Sequence, residues 1–354
     1  MLGAWACDPD RKREPVGEGV GQAAMARVGL VLGAGGVVGQ AYHAGVLAAL
    51  EHDLGWDPRT ADVIVGSSAG SVTGTLLRIG VGASDLAAYA VEAPLSGEAQ
   101  PFFDQLPAEP LEFPPFELRN WLRPWRPPSA ALLARLARRP WAFRPGVAAM
   151  ALMPSGLIDL ARHTEVVQQM AGDEWPDGLW LCAARRRDGG RVVFGRAGAP
   201  PAPLGLAVAA SCAIPGYFAP VRIGGVPYFD GGVHSPTNAD VLRDTDMDLV
   251  IVVSPMSASH GRARTVDAAF RWSAHRRLER EVKRLRSRGM EVVRIEPGGR
   301  SLAAMGVNAM AIDRSDRVVQ ASFLEAGSFA GQGAVAQRLA LIASRPSRRH
   351  RATG

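Results

Sequence analysis

The chain has 354 residues and a formal net charge of +6, with 47% hydrophobic and 21% charged residues. This composition is typical of a folded globular protein, and no apolar run approaches the roughly 18–20 residues of a membrane-spanning helix. The basic residues form no recognisable nucleic-acid-binding pattern with aromatic residues, so we expect no nucleic-acid partner.

The two ends of the chain differ from its body. Residues 1–24 show no periodicity, and Met25 stands directly before the first predicted strand, so we expect these residues to be disordered or to lie upstream of the true start. Their charges follow the first apolar patch, the reverse of a secretory signal, which predicts a cytoplasmic protein. The arginine-rich residues 344–354 predict a disordered tail. The positive charge permits peripheral contact with the anionic inner membrane surface.

Two strand–turn–helix units follow one another in the first part of the body. Residues 26–33 predict a buried strand and residues 39–55 a helix, and residues 61–66 and 69–80 repeat this order. A glycine closes each helix. This alternation predicts a parallel sheet covered by helices.

Residues 94–154 have a different composition, in which prolines recur among phenylalanines and tryptophans. Such a segment cannot form regular secondary structure throughout. It is either an insertion that caps a site or offers an apolar contact surface, or an irregular excursion that packs on the body.

The α/β pattern resumes after this insertion. Strands are predicted at 178–185, 191–196, 226–230, 248–254 and 290–297, and helices at 204–216, 265–289, 313–326 and 332–343. We therefore predict one domain over residues 25–343, with a three-layer α/β/α fold and a mostly parallel central sheet.

Metal and disulfide sites are not expected. The three cysteines, Cys7, Cys182 and Cys212, are an odd number and lack metal-ligand spacing. The sequence therefore predicts reduced thiols and no bound metal.

The glycine-rich stretch "GAGGVVG" follows the first predicted strand, where a dinucleotide-binding loop would lie. With Gly33 and Gly35 as the first two glycines of G-x-G-x-x-G, the third falls on Val38, and Gly39 comes one position late. Asp53, the acid at the right distance for a ribose contact, lies at a helix end instead of a strand end. These departures disfavour a nucleotide site.

The next predicted strand ends in "GSSAG", which matches G-x-S-x-G at Gly66, Ser68 and Gly70. Between a strand and a helix, this pattern predicts a tight turn that projects the serine hydroxyl at the helix N-terminus. The alternative is a serine that only caps the helix. The neighbouring turn would bring the N–H groups of Gly35 and Gly36 to the same sheet edge, where they could bind an oxyanion.

A nucleophilic serine needs a base. The histidine candidates are His43 within the first helix, His163 in a predicted helix around residues 159–165, His260 in a polar loop, and His234. The first three are more typical of surface or packing histidines, and no acid that would orient His234 is evident.

Asp230 offers another base, because it ends an apolar strand and precedes Gly231 and Gly232. A carboxylate on this turn, in a site that excludes water, would have a raised pKa and could take the proton of Ser68 directly. The alternative for "DGG" alone is an ordinary turn.

The ordered set "GAGGVVG", "GSSAG" and "DGG" resembles the patatin-like phospholipases, in particular their bacterial members. "ASCAIPGYFAPV" before the aspartate and "AMGVNAM" at residues 304–310 add to this resemblance, which spans residues 26–310. It implies a patatin-like α/β fold and a calcium-independent hydrolase of lipid esters that needs no cofactor. Carried over by motif position, Ser68 is the nucleophile and Asp230 the base of a dyad. Gly35, Gly36 and Val37 then form the oxyanion hole.

One departure concerns the loop, where many relatives place an arginine before the last glycine and this chain has Val38. Two other functions stay open, and this departure keeps the second of them open. One is a histidine-assisted α/β-hydrolase esterase, and the other is a lipid-binding protein without catalysis.

Overall fold

A computed structural model gives the fold of this chain. It describes residues 26–105, 130–138, 145–153, 156, 158–161, 164–258 and 266–343. The predictions for residues 1–24 and 344–354 lie outside the described residues, as do parts of the predicted insertion at 94–154.

Eight strands in the described part of the chain form one sheet. They are β1 (Val28–Leu32), β2 (Val63–Ser67), β3 (Leu179–Arg185), β4 (Arg191–Phe194), β5 (Val221–Ile223), β6 (Val226–Asp230), β7 (Leu249–Val253) and β8 (Glu291–Ile295). Their order is β5-β6-β3-β2-β1-β7-β8, and β4 pairs with β3. Strands β3, β2, β1, β7 and β8 are parallel, whereas β4 and β6 run antiparallel to β3. The predicted mostly parallel sheet is confirmed.

Helices flank this sheet. Those described are α1 (Gly36–Leu54), α2 (Ala69–Arg78), α3 (Ala83–Ala90), α4 (Gln100–Phe103), α5 (Ala130–Arg138), α6 (Pro145–Leu152), α7 (Glu165–Ala171), α8 (Leu204–Cys212), α9 (Val266–Arg286), α10 (Gly299–Met305), α11 (Ser315–Ala330) and α12 (Gly333–Ala343). The crossovers β1–α1–β2 and β7–α9–β8 leave the β1–β7 pair in opposite directions. Because such crossovers are right-handed, α1 and α9 lie on opposite faces of the sheet.

The core has two parts, one on each face. Leu30 and Leu32 of β1 pack with α1, whereas Val31 packs with the α9 side chains Leu278 and Leu285. All five residues of β1 are buried, as expected for a parallel strand that is covered on both faces. The three-layer α/β/α architecture predicted from the sequence is therefore confirmed.

Some elements differ from the prediction. Helix α1 starts at Gly36, three residues earlier than predicted, and ends at the predicted Gly55 in the left-handed conformation. The predicted helix around residues 159–165 is wrong over Asp159–Ala161, and α7 begins only at Glu165. Strand β5 and helices α3 and α10 were not predicted.

Candidate active site

Two strands meet end to end at the centre of the site. Strand β2 ends with Ser67 opposite Cys182 of β3, and β6 ends with Asp230 opposite the next residue, Ala183. Because β4 pairs with the other edge of β3, β2 and β6 share one edge and approach each other head-on. The residue after β2, Ser68, therefore arrives beside Asp230.

Ser68 occupies a sharp turn between β2 and α2. Its backbone angles, φ 53° and ψ −122°, are strained for a residue with a side chain, and it is only 4% exposed. A Cβ added at Gly66 would lie 2.6 Å from the backbone of Gly70, and one added at Gly70 would collide with the carbonyl of Leu32. The two glycines therefore make room for a turn that lifts the Ser68 hydroxyl out of the sheet.

Ser211 on α8 supports this turn, and sequence reasoning missed it. The Ser68 N–H donates to Ser211 Oγ at 3.0 Å, and the Ser211 hydroxyl donates to the Cys182 carbonyl at 2.7 Å. In a regular parallel ladder these two backbone groups would bond to each other. The fully buried Ser211 bridges them where β2 and β3 separate. The only signal in the sequence is a hydroxyl within a run of small apolar residues.

Asp230 is also 4% exposed. Burial raises its pKa from 3.8 to about 6, although hydrogen bonds from the Ser68 side chain and the Gly232 N–H favour the charged form. The Gly232 bond is 2.6 Å long. A Cβ added at Gly231 would collide with the carbonyl of Cys182. The "DGG" turn thus sets a carboxylate against the serine hydroxyl, charged near neutral pH and still basic enough to accept a proton.

Most of the glycine loop is held by backbone hydrogen bonds. The donors are Gly33 to the carbonyl of Val253 at 2.9 Å, Ala34 to Pro236 at 2.7 Å, and Val38 to Ala309 at 3.2 Å. A Cβ added at Gly232 would lie 3.1 Å from Ala34 Cβ, so this loop lies against the turn that carries Asp230.

Three N–H groups of the loop stay open. Those of Gly35, Gly36 and Val37 have no acceptor in the described part of the chain. They lie at the N-terminus of α1, where the helix dipole also favours negative charge. The predicted oxyanion-hole residues thus have donors to offer to an anion.

At Val38, where many relatives have an arginine, the loop packs against another segment of the chain. Val38 is 3% exposed, and its N–H is already bonded to Ala309 of the predicted "AMGVNAM" segment. Gly36 has φ 62°, and an added Cβ there would lie 2.5 Å from the Ala309 carbonyl oxygen. The segment around Ala309 therefore packs on the loop and holds it in shape.

The candidate histidines lie in other settings. His43 is fully buried on α1 with Nδ1 3.3 Å from Thr73 Oγ1, and burial lowers its pKa to about 3. His234 follows the "DGG" turn, with Nδ1 3.4 Å from the carbonyl oxygen of Gly189. His163 and His260 lie outside the described residues.

The described residues contain neither a metal-binding cluster nor a membrane-spanning helix. No group of three or more histidine, cysteine or acidic side chains is placed to hold a metal ion. None of the helices in these parts of the chain combines the length and the apolar character needed to span a bilayer.

Comparisons with known proteins agree with the resemblance. The family model described as patatin-like phospholipase matches residues 30–243. This family match supports a lipid hydrolase. No curated protein matches the sequence significantly.

Several solved structures are similar at low sequence identity. VipD from Legionella pneumophila is 12% identical with a TM-score of 0.39, over 90% of this chain and 68% of that chain. The ExoU–SpcU complex from Pseudomonas aeruginosa is 17% identical in sequence with a TM-score of 0.35, and the match covers 89% of this chain and 52% of that chain. Human GIVD cytosolic phospholipase A2 in complex with methyl gamma-linolenyl fluorophosphonate is 12% identical with a TM-score of 0.38. This match covers 93% of this chain and 60% of that chain. The chain thus spans about half the length of the ExoU chain.

Proposed function

Because the chain belongs to the patatin-like phospholipase family, we propose that it is a serine acyl hydrolase that cleaves fatty-acyl esters of lipids with a Ser–Asp dyad. The observation that carries this proposal is the head-on approach of β2 and β6, which places the buried Ser68 side chain against the buried Asp230 carboxylate. A serine hydroxyl is a weak nucleophile at neutral pH unless a base within hydrogen-bond reach accepts its proton.

In the first step, Ser68 Oγ attacks the ester carbonyl carbon while Asp230 takes the hydroxyl proton. The carbonyl oxygen becomes an oxyanion. Collapse of the tetrahedral intermediate breaks the ester C–O bond, and Asp230 passes its proton to the leaving alcohol. An acyl-enzyme on Ser68 remains.

In the second step, a water molecule attacks the acyl-enzyme with Asp230 as its base. Collapse of this second intermediate returns the proton to Ser68 Oγ and releases the fatty acid. The carboxylate thus alternates between base and acid, which requires a pKa near the working pH. The raised pKa of Asp230, about 6, supports this double role.

The oxyanion hole is proposed to be the N-terminus of α1. The open N–H groups of Gly35, Gly36 and Val37 support this assignment, since they need an acceptor and lie on a loop that packs against the Asp230 turn. Loss of one such donor typically costs about 3–4 kcal/mol of transition-state stabilisation.

The proposal extends to a calcium-independent enzyme of the phospholipase A, lysophospholipase or esterase type. The side chains invoked, one hydroxyl and one carboxylate, complete both steps without a metal. As part of the same proposal, the enzyme works in the cytoplasm and meets its substrate at the inner membrane surface. The net charge of +6 supports contact with anionic lipid.

Labelling with a fluorophosphonate probe, which reacts with an activated serine, tests the proposal. We expect labelling of the wild type and of His234→Ala, and none of Ser68→Ala or Asp230→Asn. Loss in His234→Ala but not in Asp230→Asn would favour the histidine-assisted esterase. An unlabelled wild type would favour lipid binding without catalysis.

Hydrolysis of esters of graded acyl-chain length, with and without a chelator, tests the substrate class and the metal requirement. We expect activity on fatty-acyl esters that a chelator leaves unchanged. Activity that disappears with the chelator and returns with calcium would contradict the calcium-independent mechanism.

A further inference from the structure

Asn238 lies between the two halves of the proposed site. It is fully buried, and its Nδ2 donates to Ser67 Oγ at 2.9 Å and to the carbonyl oxygens of Gly231 at 3.1 Å and Ser235 at 2.7 Å. Ser67 directly precedes the proposed nucleophile, and Gly231 directly follows the proposed base. A single side-chain amide therefore links the serine turn to the aspartate turn.

The orientation of this amide is fixed by Arg191. Asn238 Oδ1 accepts a hydrogen bond from Arg191 Nη1 at 3.2 Å. Because arginine can only donate, the atom that faces it must be the amide oxygen, and the NH₂ group must face the site. Arg191 is held in turn by the buried carboxylate of Asp240, at 2.5 Å.

The backbone of this segment is held as well. Asn238 has φ 53°, a left-handed conformation that asparagine adopts more readily than most residues, and its N–H donates to Ser235 Oγ at 3.3 Å. The buried Glu281 of α9 accepts hydrogen bonds from Ser235, Thr237 and the Ala239 N–H. The amide of Asn238 is thus presented from a rigid support.

We propose that Asn238 is a positioning residue, whose amide holds Ser67 and Gly231 together and thereby sets the distance between the Ser68 hydroxyl and the Asp230 carboxylate. This inference rests on the proposed function. Asn238 acts through the neighbours of the reacting groups, so its loss should lower the rate of the chemical step and leave substrate binding intact. A misplacement of about 1 Å in an active site can cost about 100-fold in rate.

Two variants of Asn238 and one matched control test this role. Asn238→Gly tolerates the positive φ and removes the amide, whereas Asn238→Asp keeps the shape and the acceptor for Arg191 but loses the donors. Ser322→Ala is the control, because Ser322 is equally buried but its hydroxyl bonds within α11, to the carbonyl oxygens of Val318 and Val319. With a soluble ester, we expect kcat to fall about 10- to 100-fold in both Asn238 variants at unchanged KM, and to stay within about twofold in the control.

The pH profile separates positioning from a general loss of structure. The hydrogen bond from Ser68 holds the pKa of Asp230 down, so a looser contact should move the acid limb of kcat/KM to higher pH. We expect this movement in Asn238→Gly, which adds no charge, and not in Ser322→Ala. A kcat within twofold of wild type, an equal loss in the control, or an unmoved acid limb would each overturn the proposal.

Ser67→Ala removes the acceptor on the serine turn and provides a second route. It should lower kcat in the same direction, and its combination with Asn238→Gly should cost less than the product of the two single losses. If Asn238→Gly does not fold, Ser67→Ala and Asn238→Asp carry the test by the same criteria.

A wild type that shows no Ser68-dependent labelling would refute the proposed function. In that case, denaturant unfolding between pH 4 and 8 still tests the link between Asn238 and the Asp230 turn. An Asp230 pKa that is the same in wild type and in Asn238→Gly, or in Ser67→Ala if Asn238→Gly does not fold, would overturn the positioning role.

Discussion

The carboxylate of Asp230 is the residue on which pH should act most directly. Its pKa of about 6 results from burial, partly offset by the hydrogen bonds from Ser68 and Gly232. Because the base must be ionised, we expect kcat/KM to rise with pH and to reach half its maximum near pH 6. A pH–rate profile with a soluble ester measures this. A midpoint near 4, the usual value for an exposed aspartate, would contradict the assignment.

The same carboxylate should cost the protein stability. The folded-state pKa of about 6 lies above the unfolded value of 3.8, so the folded state binds more protons between these values. The contribution of Asp230 to the free energy of unfolding therefore decreases as pH rises from about 4 through 6, by about 3 kcal/mol in total. Asp230→Asn removes this effect. We expect it to be more stable than wild type at pH 8 and equal at pH 4, as measured by urea unfolding.

If the difference in stability between Asp230→Asn and wild type is the same at pH 4 and at pH 8, Asp230 is not desolvated in the folded protein. Ser68→Ala is a useful companion, because it removes the hydroxyl and leaves the titrating carboxylate in place. It should retain the contribution of Asp230 to the pH dependence of stability, which Asp230→Asn removes.

The sequence predicts site residues that belong to a distinctive motif, and it does not predict those whose neighbours in the sequence form no motif. Ser68 and Asp230 were predicted because glycines flank both and tight turns demand glycine. Ser211 and Asn238 carry no such mark. Their contacts depend on which atoms face each other across β2, β3 and the Asp230 turn, and one sequence does not contain that register.

At the scale of elements, the N-terminus of α1 allows a test with a matched pair of glycines. Gly36 is the first residue of α1, and Gly55 directly follows its last residue. Their φ angles are 62° and 63°, so alanine at either position is strained by about 1 kcal/mol. Only Gly36 lies in the loop with the open N–H groups, close to the Ala309 carbonyl, whereas nothing lies within 4 Å of a Cβ at Gly55. We expect Gly36→Ala to lose at least tenfold in fluorophosphonate labelling rate and Gly55→Ala to retain it.

Thermal unfolding of both variants provides the control for stability. Equal labelling rates in Gly36→Ala and Gly55→Ala would mean that the shape of this loop does not matter for the reaction. A large loss in both would mean that the effect comes from general destabilisation.

The elements predicted correctly from the sequence are those with a long apolar run or a clear stop signal. Strands β1, β2 and β7 have near-continuous apolar runs, and the glycines after α1 and α2 are recognisable stops. Strand β5 has only three residues, of which Arg222 is exposed, and it is too short for any period to show. Around Asp159–Ala161, Ile158 forms a β-bridge with Phe218 and the Ala161 N–H donates to the Asp159 carboxylate, so these residues do not form the predicted helix.

For the whole molecule, the α/β/α layers follow from two successive strand–turn–helix units, and the sequence predicts them for that reason. The head-on approach of β2 and β6 could not be predicted in the same way. It depends on an antiparallel strand that arrives from about 160 residues further along the chain. This long-range pairing is what brings the serine and the aspartate into contact.

Stability of the whole molecule should depend on pH through two buried groups that act in opposite directions. His43 has a folded-state pKa of about 3 against 6.5 in the unfolded chain, because burial disfavours its charged form. The unfolded state therefore binds more protons below pH 6.5, and stability falls as pH decreases towards 3. Between about pH 4 and 6, this loss offsets the gain from protonation of Asp230, so together these two groups should contribute little net pH dependence there.

When either Asp230 or His43 is replaced, the pH dependence of stability that the other residue causes should become measurable. In Asp230→Asn, we expect stability to fall more steeply than in wild type as the solution is acidified from pH 6 to 4. In His43→Leu, which also removes a buried Nε2 that has no hydrogen-bond partner among the described residues, stability relative to wild type should improve by about 3 kcal/mol between pH 7.5 and 4.5. Urea unfolding of the three proteins and of the double variant measures both effects. Parallel pH profiles for wild type and His43→Leu would show that His43 protonates as readily in the folded chain as in the unfolded one.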